Sequence, residues 1–277
     1  MQAVLTYPHI NPIALSVPLP FTDRALDIHW YGIMYLVAFG LCWWLGRVHA
    51  RRKHVALVPD EVSDLLLYVA LGVVIGGRIG YMLFYAFPLW VHDPLMVLRV
   101  WEGGMSFHGG LLGVLIAMAL YAWNTQRTFF QISDFVAALT PIGLFCGRMG
   151  NFIGGELWGR PADPSLPWAM IFPHVDNVPR HPSQLYEAGL EGIVLFLIVW
   201  LYARKPRPAM AVSGLFALGY GVFRFCLEFF RQPDPQLGFI AFGWLTMGQL
   251  LSAPLVLVGL AMLVLAYTGN KRETAAT

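Results

Sequence analysis

Charge is what this 277-residue chain has least of: 12% of it is Asp, Glu, Lys or Arg, while 57% is hydrophobic. Soluble domains carry about 25% charged residues. A water-soluble fold of this length would still need a charged surface, so the shortage points to lipid as the main solvent. The net charge of +2 gives no electrostatic support for binding nucleic acid. Cysteine is scarce as well. Cys42, Cys146 and Cys226 lie in apolar stretches without CxxC spacing, which reads as packing and not as a disulfide or metal framework. No HExxH, aspartate-rich metal motif or Walker loop occurs, so neither a metal site nor a cofactor is expected. The N-terminal residues 1–27 lack a basic start followed by a compact apolar run. No small-residue cleavage site follows the first hydrophobic segment, so that segment is expected to be retained. Prolines 8, 12, 18 and 20 predict an irregular, extended arm over 1–27.

What is present is apolar length. Seven stretches approach the roughly 20 residues that a bilayer-crossing helix needs, at 28–46, 65–86, 106–123, 130–153, 188–203, 211–230 and 247–267. They predict an all-α, polytopic membrane helix bundle of about seven transmembrane helices, forming one integral membrane domain over 1–277. The fourth stretch contains Pro141 and several glycines, which predicts a bent or broken helix. The fifth is short and reads as starting inside the preceding polar loop, 154–187. Gly72, Gly76 and Gly80, and again Gly143 and Gly147, recur every fourth residue, which predicts close helix contacts.

Positive charge sets the orientation. Arg47, Arg51, Arg52, Lys53, Arg127, Arg204, Lys205, Arg207, Lys271 and Arg272 fall on one side of the alternating spans. Arg24, Arg99, Arg160, Arg180 and Arg231 are spread over longer segments on the other. The positive-inside rule puts the first side in the cytoplasm, with the N-terminus and the loop 154–187 outside and the C-terminus inside.

Arg78, Arg148 and Arg224 then remain within spans, each in the outer half. An arginine at mid-membrane costs about 2.5–3.5 kcal/mol on insertion scales, so three require an explanation. Other polar groups come to the same level. His108 opens the third span. Asn151 follows Arg148 by three residues, and Glu156 comes next. Tyr220, Arg224 and Glu228 are spaced by four, which aligns them on one helix face. Tyr31 lies at the outer end of the first span, and Arg180 and His181 precede the fifth. Each has a structural reading. Arg224 with Glu228 makes an ion pair, Arg78 caps carbonyls or pairs with an outer carboxylate, Tyr31 belongs to an interfacial aromatic belt, His108 is a satisfied histidine at a helix start, Asn151 joins helices, and Arg180 and His181 are solvated loop. Convergence on one depth favours a functional site. Arginines outnumber carboxylates in this reading. Their forked donors match phosphate oxygens at headgroup level, with acyl chains left among the helices.

Several motifs in order resemble the bacterial prolipoprotein diacylglyceryl transferases over nearly the whole chain. They are His29-Trp30-Tyr31-Gly32, Gly76-Gly77-Arg78-Ile79-Gly80-Tyr81 and Gly103-Gly104-Met105-Ser106-Phe107-His108-Gly109-Gly110-Leu111. The stretch from Gly147-Arg148-Met149-Gly150-Asn151 to Gly159-Arg160 follows, then Arg180-His181-Pro182-Ser183-Gln184-Leu185-Tyr186-Glu187. Gly219-Tyr220-Gly221-Val222-Phe223-Arg224 and Glu228-Phe229-Phe230-Arg231-Gln232-Pro233 complete the set. Gly154, in place of asparagine, and a short loop over 162–179 depart from the family pattern.

The resemblance implies transfer of a diacylglyceryl group from phosphatidylglycerol to the lipobox cysteine thiol of a preprolipoprotein. A thioether forms and glycerol phosphate leaves, at the outer face of the bacterial inner membrane. It also implies site residues. Arg148 and Arg224 would hold the phosphate, with Asn151, Gly159, Tyr31, Tyr220, Glu228 and Arg231 around them. Glu156 or Glu228 would orient the arginines or hold glycerol hydroxyls. His108 would take the thiol proton, since its reference pKa of about 6.5 suits transfer near neutrality. Three rival classes have less support. An anion transporter would line a path to both faces, yet the inner halves of the spans are nearly all apolar. A lipid-binding protein without chemistry would tolerate loss of His108 and Glu156. A phosphatidyltransferase would need an aspartate-rich metal motif.

Overall fold

The computed structural model describes residues 5–18, 25–233 and 238–276, with side chains as far as residue 269. Three short strands, β1 (Leu5–Thr6), β2 (Ile13–Pro18) and β3 (Ala25–His29), precede the helices α1 (Trp30–Ala50), α2 (Glu61–Phe84), α3 (Phe107–Asn124), α4 (Phe129–Ala137) and α5 (Thr140–Ile153). Strands β4 (Met170–Ile171) and β5 (Pro179–Arg180) occupy the loop before α6 (Ser183–Tyr202), α7 (Ala211–Leu227) and α8 (Met247–Ala276). Arg24 and the side chains of Lys271 and Arg272 lie outside the described residues.

Among the described residues, α1, α2, α3, α6 and α8 are each long and apolar enough to cross a bilayer. Helices α4 and α5 together make a sixth candidate span. All seven expected stretches are helical, but α7, with 17 residues, falls short of a full crossing length. The expected break in the fourth stretch lies between Ala137 and Thr140, which puts Pro141 in the first turn of α5, where a missing N–H costs nothing. The fifth span begins at Ser183, inside the polar loop, and is π-helical from Ala188 to Val194.

The chain divides into two compact units, one of Met1–Cys42 with Val136–Thr277, the other of Trp43–Phe135. In the larger unit, the arm expected to be irregular is paired. β1 runs parallel to β4, β4 antiparallel to β5, and β2 antiparallel to β3. Pro8 and Pro12 fall between strands and Pro18 ends β2, so the prolines bound the strands without cutting them. Tyr7 is buried with Met170 and Phe172, and its hydroxyl donates to the carbonyls of Phe152 and Ile153, both at 2.8 Å. Both carbonyls lie in the last turn of α5, where i+4 helical partners end, and that of Phe152 also accepts from the Gly155 N–H at 3.0 Å. Burial pushes the Tyr7 phenol pKa up. Ala137, Ala138, Leu195, Val199 and Val212 form a second core where the break between α4 and α5 meets α6 and α7.

In the smaller unit, α2 and α3 touch backbone to backbone. A Cβ added to Gly72 would lie 2.6 Å from the carbonyl oxygen of Gly113, and one on Gly76 would lie 2.4 Å from that of Gly109. The Gly72, Gly76, Gly80 stripe is therefore a helix contact. The Gly143, Gly147 pair is not. A Cβ on either would meet nothing within 4 Å, so close approach on α5 is made elsewhere. Cys226 also departs from the packing expected of it, since it is exposed, while Cys146 is buried.

Candidate active site

The charged residues of the larger unit are gathered by one close helix crossing. Gly192 of α6 abuts α5 so tightly that an added Cβ would sit 2.6 Å from the Phe145 Cβ and 2.9 Å from its Cα. Arg148 lies three residues beyond Phe145. Its Nε is 2.7 Å from Glu187 Oε2, and its Nη2 is 3.5 Å from Glu191 Oε2. Arg224, in the last turn of α7, reaches the same carboxylates. Its Nη1 is 3.2 Å from Glu187 Oε1 and 3.8 Å from Glu191 Oε1, while its Nη2 pairs with Glu228 Oε1. Glu228 also meets Arg231 Nη1 at 3.4 Å and accepts from Thr246 Oγ1 at 2.8 Å. The result is a chain of ion pairs, Arg148–Glu187–Arg224–Glu228–Arg231, with Glu191 touching both inner arginines. Glu187 and Glu191 are 1% and 0% exposed. Buried charge persists only when it is paired in this way.

The expected excess of arginine over carboxylate does not hold. Among the described residues the ion-paired set contains Arg148, Arg224 and Arg231 against Glu187, Glu191 and Glu228, and its formal charge is zero. Glu187 and Glu191 were the residues sequence reasoning missed. Their signal was available, because a carboxylate in an apolar helix is as costly as an arginine. It was hidden at Glu187 because α6 starts earlier than its apolar run. Thr246 and Gly248 carried no signal. A Cβ on Gly248 would lie 2.5 Å from Glu228 Oε1.

The other expected residues of this unit surround the network. Tyr31 of α1 packs on Gly150, where an added Cβ would be 2.9 Å from its Cδ2, and its hydroxyl is 3.3 Å from that of Tyr35. Asn151 is buried one residue further on, and its carbonyl accepts from the Glu156 N–H at 2.9 Å. Glu156 itself is exposed, on a turn where Gly155 and Leu157 have φ of 68° and 57°. Gln184 Nε2 donates to the Glu156 carbonyl at 2.6 Å, and Ser183 Oγ to that of Leu157 at 2.9 Å, which ties this turn to the start of α6. Tyr220 is half-buried and stacks on Phe216 with centroids 5.9 Å apart.

Gly159 has a backbone role. A Cβ there would lie 2.3 Å from the His181 carbonyl oxygen and 2.7 Å from that of Phe230. Arg160 donates to the carbonyls of Arg231 at 2.8 Å and Glu228 at 2.9 Å, a cation closing the end of α7. Arg180 and His181 are not loosely solvated. Arg180 pairs with Asp176 at 2.5 Å and donates to the Gly159 carbonyl at 3.1 Å, and it holds the Asp176 carboxyl below its usual pKa. His181 Nδ1 is 3.1 Å from the Tyr186 hydroxyl, and burial lowers its pKa.

His108 and Arg78 belong to the smaller unit. His108 is exposed in the first turn of α3, edge-on to Phe107 at 5.6 Å. The Arg78 guanidinium is spent on backbone. It donates to the carbonyls of Val97 (3.2 Å), Met96 (2.6 Å), Arg99 (2.8 Å), Gly104 (3.1 Å) and Gly103. That is the carbonyl-capping reading, realised.

Buried guanidinium–carboxylate pairs carried on apolar helices define a membrane-embedded polar site. The family model for prolipoprotein diacylglyceryl transferase matches residues 18–265. The chain is 56% identical over 265 residues to the phosphatidylglycerol–prolipoprotein diacylglyceryl transferase of Methylococcus capsulatus, covering 95% of this chain and 98% of that protein. It is 57% identical over 259 residues to the enzyme of that name from Legionella pneumophila strain Lens, with 93% and 97% covered. For that of Azotobacter vinelandii the identity is 54% over 274 residues, with 97% and 99% covered. The chain belongs to the prolipoprotein diacylglyceryl transferase family.

Proposed function

We propose that this chain transfers the diacylglyceryl group of phosphatidylglycerol to the thiol of a lipobox cysteine in a preprolipoprotein, with the arginine–glutamate network as the anion site. The observation that carries this reading is the pair Arg148 and Arg224. Two guanidinium groups share the carboxylates of Glu187 and Glu191 on apolar helices, and the Arg148 side chain retains 18% of its exposure. Forked donors held apart by packed helices suit the oxygens of a phosphodiester.

In the reaction the cysteine sulfur attacks the glycerol carbon that carries the phosphate. A C–S bond forms, the C–O bond breaks, and its electron pair leaves on the phosphate of glycerol phosphate. Arg148 and Arg224 stabilise that developing charge. Asn151, Tyr31, Tyr220 and Arg231 line the same unit and are assigned to headgroup contact, and Glu156 and Glu228 to glycerol hydroxyls or to orienting arginines. Gly159 contributes by letting His181 and Phe230 approach. Histidine is the residue type suited to proton transfer near neutrality, which supports assigning the thiol proton to His108. The lysine and arginine distribution supports a bacterial inner-membrane location with the N-terminus outside, the C-terminus in the cytoplasm and the site toward the periplasm.

The test is incubation of the purified protein with phosphatidylglycerol and a cysteine lipobox peptide. Mass spectrometry should show the peptide gaining one diacylglyceryl group, and a cysteine-to-serine peptide should gain none. Labelling of the serine peptide, or no labelling of the cysteine peptide, contradicts the proposal. For His108, the His108→Gln variant should lose most of its rate and the wild-type pH dependence. An unchanged profile removes His108 as the base.

A further inference from the structure

Among the described residues the directly ion-paired set carries no net formal charge, with Arg160 beyond it on the Glu228 carbonyl, and a phosphodiester brings one negative charge. An uncompensated buried charge costs several kcal/mol, so either a carboxylate must leave or a positive charge must enter. Leaving is obstructed. Glu187 and Glu191 are 1% and 0% exposed on α6, which is locked to α5 at Gly192, and Glu228 is 3% exposed and held by Arg224, Arg231 and Thr246. The positive charge available to every site in water is a proton.

We propose that Glu191 takes up a proton when the anionic headgroup binds. Three carboxylates compete for this role, and their partners distinguish them. Glu187 keeps a 2.7 Å contact to Arg148 Nε and a 3.2 Å contact to Arg224 Nη1. Glu228 keeps two arginines and a threonine hydroxyl. Glu191 has only the long contacts, 3.5 Å to Arg148 Nη2 and 3.8 Å to Arg224 Nη1. It therefore loses least on neutralisation.

Arg148 is the less buried of the two arginines, its side chain 18% exposed against 10% for Arg224, and the proposal places a bridging phosphate on Arg148 Nη2 and Arg224 Nη1. Phosphate and Glu191 compete for the same two atoms. When the phosphate takes them, Glu191 is left as a carboxylate without a cation, in a fully buried position, and protonation removes the charge. The groups facing it are Arg148 from α5, Glu187 from its own helix, and Arg224 and the Tyr220 phenol from α7. Glu187 keeps the closer contacts to both arginines, 2.7 Å and 3.2 Å. The proton comes from water and returns when the headgroup leaves.

This inference rests on the phosphate-binding role proposed for Arg148 and Arg224, and the experiment separates the two. Dihexanoyl phosphatidylglycerol is titrated calorimetrically into the full-length protein in detergent, in two non-phosphate buffers of different ionisation enthalpy. The wild type should take up about one proton per lipid bound, so that affinity falls by up to about tenfold per pH unit as pH rises. Glu191→Gln, which mimics the protonated acid, should bind without proton uptake and with little pH dependence. Infrared difference spectra of the wild type on lipid addition, taken in H2O and in D2O, should show a carboxylic-acid carbonyl band that shifts on deuteration, as the lipid ester bands do not, a readout that needs no variant. Binding without proton uptake or without that band overturns the proposal, as does undiminished uptake in Glu191→Gln. Equal binding by wild type and by a double Arg148→Ala, Arg224→Ala variant instead overturns the phosphate site itself.

Discussion

Arg224 joins two parts of the network, the α6 carboxylates of Glu187 and Glu191 and the Glu228 carboxylate just past the end of its own helix, so it is the joint of the ion-pair chain. Lysine offers a point charge in place of a planar fork and cannot serve both. Arg224→Lys is therefore predicted to lower the transfer rate by about 10²–10³, the range for losing an oriented charge donor. A retained rate in the lipobox-peptide assay would contradict this. Gly248 makes a second residue-scale prediction. Alanine there would press its Cβ against the Glu228 carboxylate, now within 2.5 Å of that position. Gly248→Ala should disturb the Arg224–Glu228–Thr246 contacts and reduce turnover while the protein still inserts, and turnover equal to wild type would show that Glu228 yields freely. Residue identities at the site were partly legible beforehand. Arg148, Arg224 and Glu228 are conspicuous because charge is rare in apolar spans. Gly248 is not, since its importance lies in what fills the space beside it.

At the scale of elements, the Gly192–Phe145 crossing decides whether α5 and α6 bring their opposite charges together. Gly192→Leu is predicted to separate the helices, leave Glu187 and Glu191 short of Arg148, and cost about 3–5 kcal/mol through broken buried pairs. Thermal unfolding in detergent and the transfer assay would both register it, whereas Gly143→Leu, with nothing within 4 Å of its Cβ, should be mild. Two glycine patterns of equal promise in the sequence thus have unlike roles, because small residues permit contact without saying which face meets a neighbour. The loop before α6 carries a pH prediction. Arg180 holds the Asp176 carboxyl below its usual pKa in the folded state, while the unfolded chain has the ordinary value of about 3.9. The unfolded state binds more protons, so this contribution is full near neutrality and is lost as pH falls through the folded-state value. Asp176→Asn should therefore show a shallower acid unfolding limb than wild type, and equal limbs would count against the pair.

For the whole molecule, orientation is the property on which the proposed location depends. Single cysteines placed in the segment 51–53 should react with a membrane-impermeant maleimide only from the cytoplasmic side. One placed at Ser165 should react only from the periplasmic side. The reverse pattern would invert the proposed topology. Apolar run length, the alternation of basic loops and the motif order by themselves determined that this is a polytopic helical membrane protein of the diacylglyceryl transferase family, since hydropathy and charge are properties each residue carries wherever it folds. They also marked Arg148 and Arg224. Tertiary structure alone decided how those arginines are neutralised, that Arg78 is spent on loop carbonyls, that the proline-rich arm pairs into strands, and that Glu187 and Glu191 stand between α5 and α7. The reason is that pairing depends on which helix faces meet at backbone distance, and that is set by packing between segments far apart in the chain.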